Sequence, residues 1–294
     1  LNLPPVYLID ASVYIFRAWF SVPDDFTNAR GEPTNAAYGF CGFLCSMLEQ
    51  TSAQRVAVAF DESLTTSYRN EIYPQYKANR DPAPEDLKRQ FQWARSIAEC
   101  LGLRCFADPR FEADDLIGTL AEHWRARGHP ICLVSSDKDL AQLVRSGDHW
   151  WDFSRNEKLG VTQIEQKFGV TPEQIADFLA LAGDAVDNIP GIPGVGPKSA
   201  SALLQHFGDL DSIFNRLEEV QHLSIRGAKS LQQKLATHRA AAELARRLTV
   251  IRTDVASALA APEIHRSGVD TAGLNRLFDD LKFGGMLRQR CLRI

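Results

Sequence analysis

Three short apolar runs constrain this chain more than any other feature: VYLI at 6–9, VAVAF at 56–60 and ICLVSS at 131–136 each stop at an aspartate, Asp10, Asp61 and Asp137. Runs this uniformly apolar read as strands buried on both faces and therefore parallel. Helical patterns near 35–50, 85–101 and 112–127 lie between them, the alternation of an α/β sheet with helices on both sides. Ligands of such sheets collect beyond the carboxyl ends of the strands, where the three aspartates stand. A further strand is expected at 149–153, after which helices dominate, with a boundary near residue 170. Thr171 and Pro172 suit a helix start. Further helices are expected from about 198, from about 211, and as one long element between 227 and 248, and Leu274, Leu277, Phe278 and Leu281 recur at core-packing helical spacing.

Acids also cluster in three short segments, Glu112 with Asp114 and Asp115, Asp137 with Asp139, and Asp184 with Asp187. On helices, Glu112 and Asp115 would share a face, as would Asp184 and Asp187. Helix starts and strand ends attract acids through the dipole and through capping, so one segment alone means little. Jointly they imply converging carboxylates, whose repulsion cations must relieve. Oxygen-only donors favour hard divalent ions, Mg²⁺ or Mn²⁺. Two such ions could activate a water and stabilise the leaving oxygen of a phosphoryl displacement, the chemistry of a phosphodiesterase.

The net charge of −4 argues against a nucleic-acid partner at first sight. Setting the nine candidate ligands aside, with Asp10 and Asp61 counted among them, leaves 28 acids against 33 bases, and a polyanionic partner becomes plausible. Seven bases between 225 and 252 (Arg226, Lys229, Lys234, Arg239, Arg246, Arg247, Arg252) against the single acid Glu243 support this. Six cysteines show no CxxC pair and no Cys/His ligand spacing, so free thiols are expected, with Cys41 and Cys45 as buried core. No run approaches the roughly 18 apolar residues of a membrane span, and no signal peptide is evident, so a cytoplasmic protein without membrane contact is expected.

The segment GIPGVGPKS at 191–199 has the glycine spacing of a phosphate loop, but Pro197 stands where that loop needs lysine. A hairpin between helices fits better: glycines allow close backbone approach to a phosphate, amides at the next helix start donate to it, and Lys198 and Ser199 add a charge and a hydroxyl. A plain interhelical turn is the simpler alternative. Between 67 and 89, aromatics alternate with bases (Arg69, Tyr73, Tyr76, Lys77, Arg80, Lys88, Arg89), as a single-strand path requires, although a surface loop would read the same way.

Taken together, LIDASVYIFRAWF (8–20), AFDES (59–63), YPQYKANR (73–80), FEADDLIGTLA (111–121), SSDKDLAQLV (135–144) and GDAVDNIPGIPGVGPKSA (183–200) resemble the 5′-nuclease family, which includes the nuclease domain of bacterial DNA polymerase I, phage 5′-exonucleases and flap endonucleases. The resemblance runs from about residue 6 to 214. It implies a PIN-like α/β nuclease domain over 1–170, with a central, mainly parallel sheet and an arch segment near 65–90, then a helical domain over 171–294 holding a helix-three-turn-helix element at about 175–215. By motif position, Asp10, Asp61, Glu112 and Asp114 match a first metal cluster with Asp115 beside it, and Asp137, Asp139, Asp184 and Asp187 match a second. Tyr76, Lys77 and Arg80 match strand contacts near the scissile phosphate, with Lys77 and Arg80 assisting catalysis, and Arg17 matches a phosphate contact. Gly191, Gly194, Gly196, Lys198 and Ser199 match the duplex-binding hairpin, where relatives often hold K⁺. Ala11 and Asp81 depart from the family pattern, which more often has Gly and Pro there. The expected protein is a stand-alone, monomeric, Mg²⁺-dependent exonuclease and flap endonuclease acting on DNA 5′ ends, flaps or branches. The alternatives are a non-catalytic binder of branched DNA and an RNase H-like activity on RNA–DNA hybrids.

Overall fold

Alternation inside the central strand sets the layers: Val6 and Leu8 enter one apolar cluster, Tyr7 and Ile9 the other. The computed structural model describes residues 3–62 and 66–294; Ser63 of AFDES and residue 65 of the expected arch lie outside them. Strands β1 (Val6–Asp10), β2 (Val56–Asp61), β3 (Arg104–Asp108), β4 (Ile131–Val134), β5 (His149–Asp152) and β6 (Glu157–Leu159) form one sheet in the order β3-β2-β1-β4-β5-β6. All pairings are parallel except that of β6. The chain turns from β2 on one side of β1 to β4 on the other, which opens a crevice at their carboxyl ends.

Helices α1 (Ala11–Ser21), α2 (Asn35–Thr51), α3 (Tyr68–Ile72), α4 (Glu85–Cys100), α5 (Ala113–Arg125) and α6 (Val161–Phe168) accompany the sheet. The remaining helices are α7 (Ile175–Ala182), α8 (Pro197–Phe207), α9 (Leu210–Asn215), α10 (Ala228–Thr237), α11 (Arg239–Thr249), α12 (Ala256–Ala260), α13 (Thr271–Leu281) and α14 (Gly285–Cys291). Leu116 and Leu120 of α5 pack under β1 to β4, and this cluster runs on into α7, α8 and α11. On the opposite face, α1, α2 and α4 are joined by α13 and α14, so residues 271–294 pack on the layer that covers the sheet rather than on the helical region they follow. Among the described residues no helix is long and apolar enough to cross a membrane.

Strands β3 and β6 were not expected. RCFAD carries charge at both ends and EKL has three residues, so neither shows the apolar run that marked the others. The long helix expected from 227 is two, broken at His238, whose φ of −108° and ψ of 19° leave the helical region. Leu274, Phe278 and Leu281 are buried as expected, and Leu277 partly so. Phe278→Ala should therefore cost about 3 to 5 kcal/mol, as for a large core aromatic, and lower the denaturant midpoint in equilibrium unfolding.

Candidate active site

Each strand end delivers an acid to the crevice. Asp10 closes β1, Asp61 closes β2, and Asp137 follows β4. Asp61 is fixed by the Ser12 hydroxyl at 2.7 Å and the Ala113 amide at 2.8 Å, which ties β2 to the start of α5. Ser135 donates to Asp10 at 2.9 Å while its oxygen accepts from the Asp137 amide at 3.0 Å. Glu112 is the N-cap residue of α5 and Asp114 lies in its first turn; Asp137 caps the 3-10 turn that carries Asp139, accepting from the Asp139 amide.

Asp184 and Asp187, which would share a face if helical, lie in a turn closed by paired backbone bonds between Asp184 and Ile189. Gly183, at φ +80°, ends α7 and packs so tightly on Gly191 that a Cβ at Gly191 would strike the Gly183 amide. The turn is laced to the segment 75–80: Lys77 N–H donates to Asp187 O, Asn79 Nδ2 to Ala185 O, and Asn188 Nδ2 to Gln75 O. Lys77 itself sits at φ +55°, a conformation held by these contacts. Its ammonium lies 2.9 Å from Glu112 and 3.8 Å from Asp187. Arg80 pairs with Asp187, and Lys138 with Asp184 at 2.5 Å.

The acids thus form a ring interleaved with cations. Among the described residues no three of them bring oxygens within 4.8 Å of one another. Asp10 Oδ1, Glu112 Oε1 and Asp139 Oδ1 are buried with no hydrogen-bond partner, a costly state for a carboxylate oxygen and the signature of a donor meant for a cation. Burial, with Asp61 and Asp137 facing it, pushes Asp10 up to about 7. Burial and Asp137 push Asp139 up to about 8. Burial and the charges of Asp137, Asp10 and Asp61 hold Asp114 well above the carboxylate range, and burial with Asp187 raises Asp137. Burial opposes ionisation of Glu112 too, but Lys77 and Arg69 outweigh it and hold the group low. Asp137 faces acids of both expected clusters, so the two sets share one border.

Three residues have employment other than that expected. Asp115 is fully buried and accepts both arms of Arg69, at 2.7 and 2.8 Å, with amides of Glu112 and Arg252 completing its shell. Its four bonds leave no oxygen for an ion in this arrangement. Arg69, read from sequence as a strand-binding base, is 2 % exposed and also donates to Leu248 O and Val250 O. Tyr76, expected to offer a stacking face, is 3 % exposed, and its hydroxyl bonds Glu112 and Asp187 at 3.1 Å each. It is a brace between the two acid sets.

Arg17 is exposed on α1, its guanidinium 2.5 Å from the Ser154 hydroxyl. Gly191, Gly194 and Gly196 lie in the hairpin between α7 and α8, with Lys198 exposed and Ser199 partly exposed in the first turn of α8. Gly194, at φ +79°, stands against the Lys234 ammonium of α10, which brings one of the seven bases to the hairpin. A cavity of about 720 Å³ opens beside Asp61 and Ser12, walled by Phe16, Phe60 and Phe91 with Lys88 and Arg95 at its rim. The sequence offered no signal for this wall, because Phe16 and Phe91 come from helices 75 positions apart.

Two outcomes follow. Removing Arg69 strands Asp115 as a buried unpaired charge, so Arg69→Met should cost about 3 to 5 kcal/mol in denaturant unfolding. The raised carboxyls bind protons more tightly folded than unfolded, where they ionise near pH 4. Their stabilising contribution is complete below that pH and is lost as pH rises through about 7 for Asp10 and about 8 for Asp139. With a chelator present, the melting temperature should fall from pH 5 to 8.5, and Asp139→Asn should flatten that slope; an unchanged slope refutes the assignment.

The 5′-3′ exonuclease N-terminal resolvase-like domain model matches residues 5–169, and the 5′-3′ exonuclease C-terminal SAM fold model matches 170–272. DNA polymerase I of Pseudomonas aeruginosa is 39% identical over 288 residues, 98% of this chain and 31% of that protein. DNA polymerase I of Rhizobium leguminosarum is 38% identical over 257 residues, 85% of this chain and 25% of that protein, so the chain spans a quarter to a third of these relatives. A 5′-3′ exonuclease of Buchnera aphidicola subsp. Baizongia pistaciae is 36% identical, covering 94% of this chain and 91% of its own. Among solved structures, zinc-bound T5 5′-exonuclease superposes with a TM-score of 0.69 at 21% identity over 95% of this chain and 98% of that one. The catalytic core of Rad2 in complex with DNA substrate gives 0.64 at 17%, over 99% and 92%. At these identities the two structures establish the fold, a PIN-like α/β domain followed by a helical one. With both domain models matched and a relative of its own length more than one-third identical, the chain belongs to the 5′-3′ exonuclease family.

Proposed function

We propose that this chain hydrolyses DNA phosphodiesters as a Mg²⁺-dependent, structure-selective 5′-nuclease, acting as a 5′→3′ exonuclease and on 5′ flaps. The observation that carries this reading is the carboxylate ring at the sheet's carboxyl edge with three buried oxygens lacking partners. Asp10, Asp61, Glu112 and Asp114 would hold one ion and Asp137, Asp139, Asp184 and Asp187 a second, directly or through water, while Asp115 would support them through its pairing with Arg69. An open ring of oxygen donors suits Mg²⁺, which keeps much of its water, better than an all-protein cage would, and Mn²⁺ substitutes. Such ions supply charge neutralisation and an activated water.

The chain's own residues do the rest. Lys77 and Arg80, on leaving their acid partners, would offer positive charge to the attacked phosphate. The hairpin 191–196, with Lys198, Ser199 and Lys234, grips the duplex backbone without reading sequence, with K⁺ as a further ligand there. The phenylalanine-walled cavity beside Asp61 receives the unpaired 5′ strand. In this reading 1–170 is the nuclease domain and 171–294 the helical DNA-binding region, although α13 and α14 return to the sheet. The retention of every acid weighs against a non-catalytic binder. The protein acts as a monomer.

Single-turnover cleavage of a 5′-labelled flap duplex is the test. Mg²⁺ should release a flap-length product and excess chelator should abolish it. Asp10→Ala should lower the rate by at least about 10³-fold with DNA affinity retained, and Lys77→Ala by about 10²-fold. Tight binding of an intact flap in either Mg²⁺ or Mn²⁺ would refute the nuclease reading.

A further inference from the structure

The six cysteines are free thiols, as expected, but three of them stand together. Cys41 and Cys45 lie one turn apart on α2, and Cys291 ends α14. Their sulfurs converge, Cys45 to Cys291 at 3.1 Å and Cys41 to Cys291 at 3.5 Å, with all three within 4.8 Å of one another and every side chain fully buried. Among the described residues these sulfurs have no hydrogen-bonding contact but each other. A buried cysteine acting only as a small apolar group packs on carbon; three thiols turned toward one point make a ligand set.

Two cations stand by it. The Arg290 guanidinium, braced by Glu49 at 2.6 and 3.0 Å and by the Ser46 hydroxyl at 3.0 Å, bears on Cys45, as does Arg266. Glu49 opposes them, but its charge is shared with Arg290. Cys45 is held low, first by the thiols of Cys291 and Cys41 and then by Arg290. Hydrogen bonds from Cys291 and Cys45, with burial, hold Cys41 well above the ordinary thiol range, and, with Cys41 opposing, Cys45 and burial push Cys291 up to about 12. A metal therefore binds here only by displacing protons. The donor set is soft, and the group comprises three ligands, whereas structural zinc takes four.

We infer that Cys41, Cys45 and Cys291 form a three-coordinate site for a soft, thiophilic monovalent ion of the Cu(I) type. Each ligating thiol releases its proton to solvent, and Arg290 and Arg266 offset the surplus negative charge. The site is separate in residues and in chemistry from the carboxylate ring, whose hard oxygens disfavour such an ion. Its consequence is mechanical. An ion held there ties α14 to α2 across 246 residues of sequence and clamps the chain's last helices onto the sheet.

The test is an anaerobic titration of the reduced protein, divalent ions chelated, with Cu(I) delivered in competition with a chromophoric Cu(I) chelator. One equivalent should bind with sulfur-to-metal charge-transfer absorption and raise the melting temperature. Cys291→Ser and Cys45→Ser should each weaken binding by about a hundredfold or more, while Cys100→Ser leaves it unchanged. Flap cleavage in Mg²⁺ by Cys291→Ser should equal that of the parent. The wild-type titration decides even where a variant folds poorly: no competition with the chelator overturns the proposal, as does Zn(II) displacing Cu(I) at equal concentration. Binding that survives in well-folded Cys291→Ser overturns it too.

Discussion

Like charges gathered at one edge of a sheet are the constraint on which this molecule is built. Eight acids gather where β1, β2 and β4 end, with Asp115 paired to Arg69 behind them, and no apolar packing can offset their repulsion. The chain answers with cations from outside the sheet, Lys77 and Arg80 from the segment before α4, Lys138 from the 3-10 turn, and Arg69 from beneath. These partners do not neutralise the set. Four of the acids remain raised, and three oxygens remain without a donor, so part of the cost is left for a cation to relieve. The edge is held together and kept hungry at once.

Much of this was legible because parallel strands that end in aspartate leave little choice about where the acids go. The alternation of runs and helices predicts the parallel sheet but not that β1 stands between β2 and β4, and it is that order that opens the crevice. What stayed hidden depends on partners distant in sequence. Asp114 and Asp115 are indistinguishable in EADD; only the arrival of Arg69, 46 positions upstream, makes one a support and leaves the other facing the ring. Tyr76 looks like a stacking aromatic until Glu112 and Asp187 claim its hydroxyl. The turn at 183–190 reads as helical because i and i+3 acids fit a helix face, yet Gly183 at positive φ ends α7 just before it.

Arg69 also explains how the helical region is registered against the ring. Its donors reach Asp115 on one side and the carbonyls of Leu248 and Val250 on the other. The strap leaving α11 is then fixed at three further points: Gln142 bonds Thr249 O and the Ile251 amide, Asp115 takes the Arg252 amide, and Thr119 takes the Val255 amide. The basic helices α10 and α11 therefore cannot shift without disturbing the residue that underlies Glu112. Rigid attachment is what a site requires when substrate is gripped in one region and cut in another.

The tightest link lies in the turn itself. Asp184 and Asp187 belong to the ring, and Gly191 opens the hairpin, with only a few residues between them. Gly183 packed on Gly191 and the Asp184–Ile189 bridge remove the slack those residues would otherwise have. On the proposed function, a duplex backbone seated on the hairpin would thereby be placed at a set distance from the acids, whatever its base sequence. Selectivity by structure needs no base readout if the ruler is built into the backbone: in the proposed reaction, cleavage would occur where the strand path meets the ring, a point that the turn of eight residues, 183–190, would set.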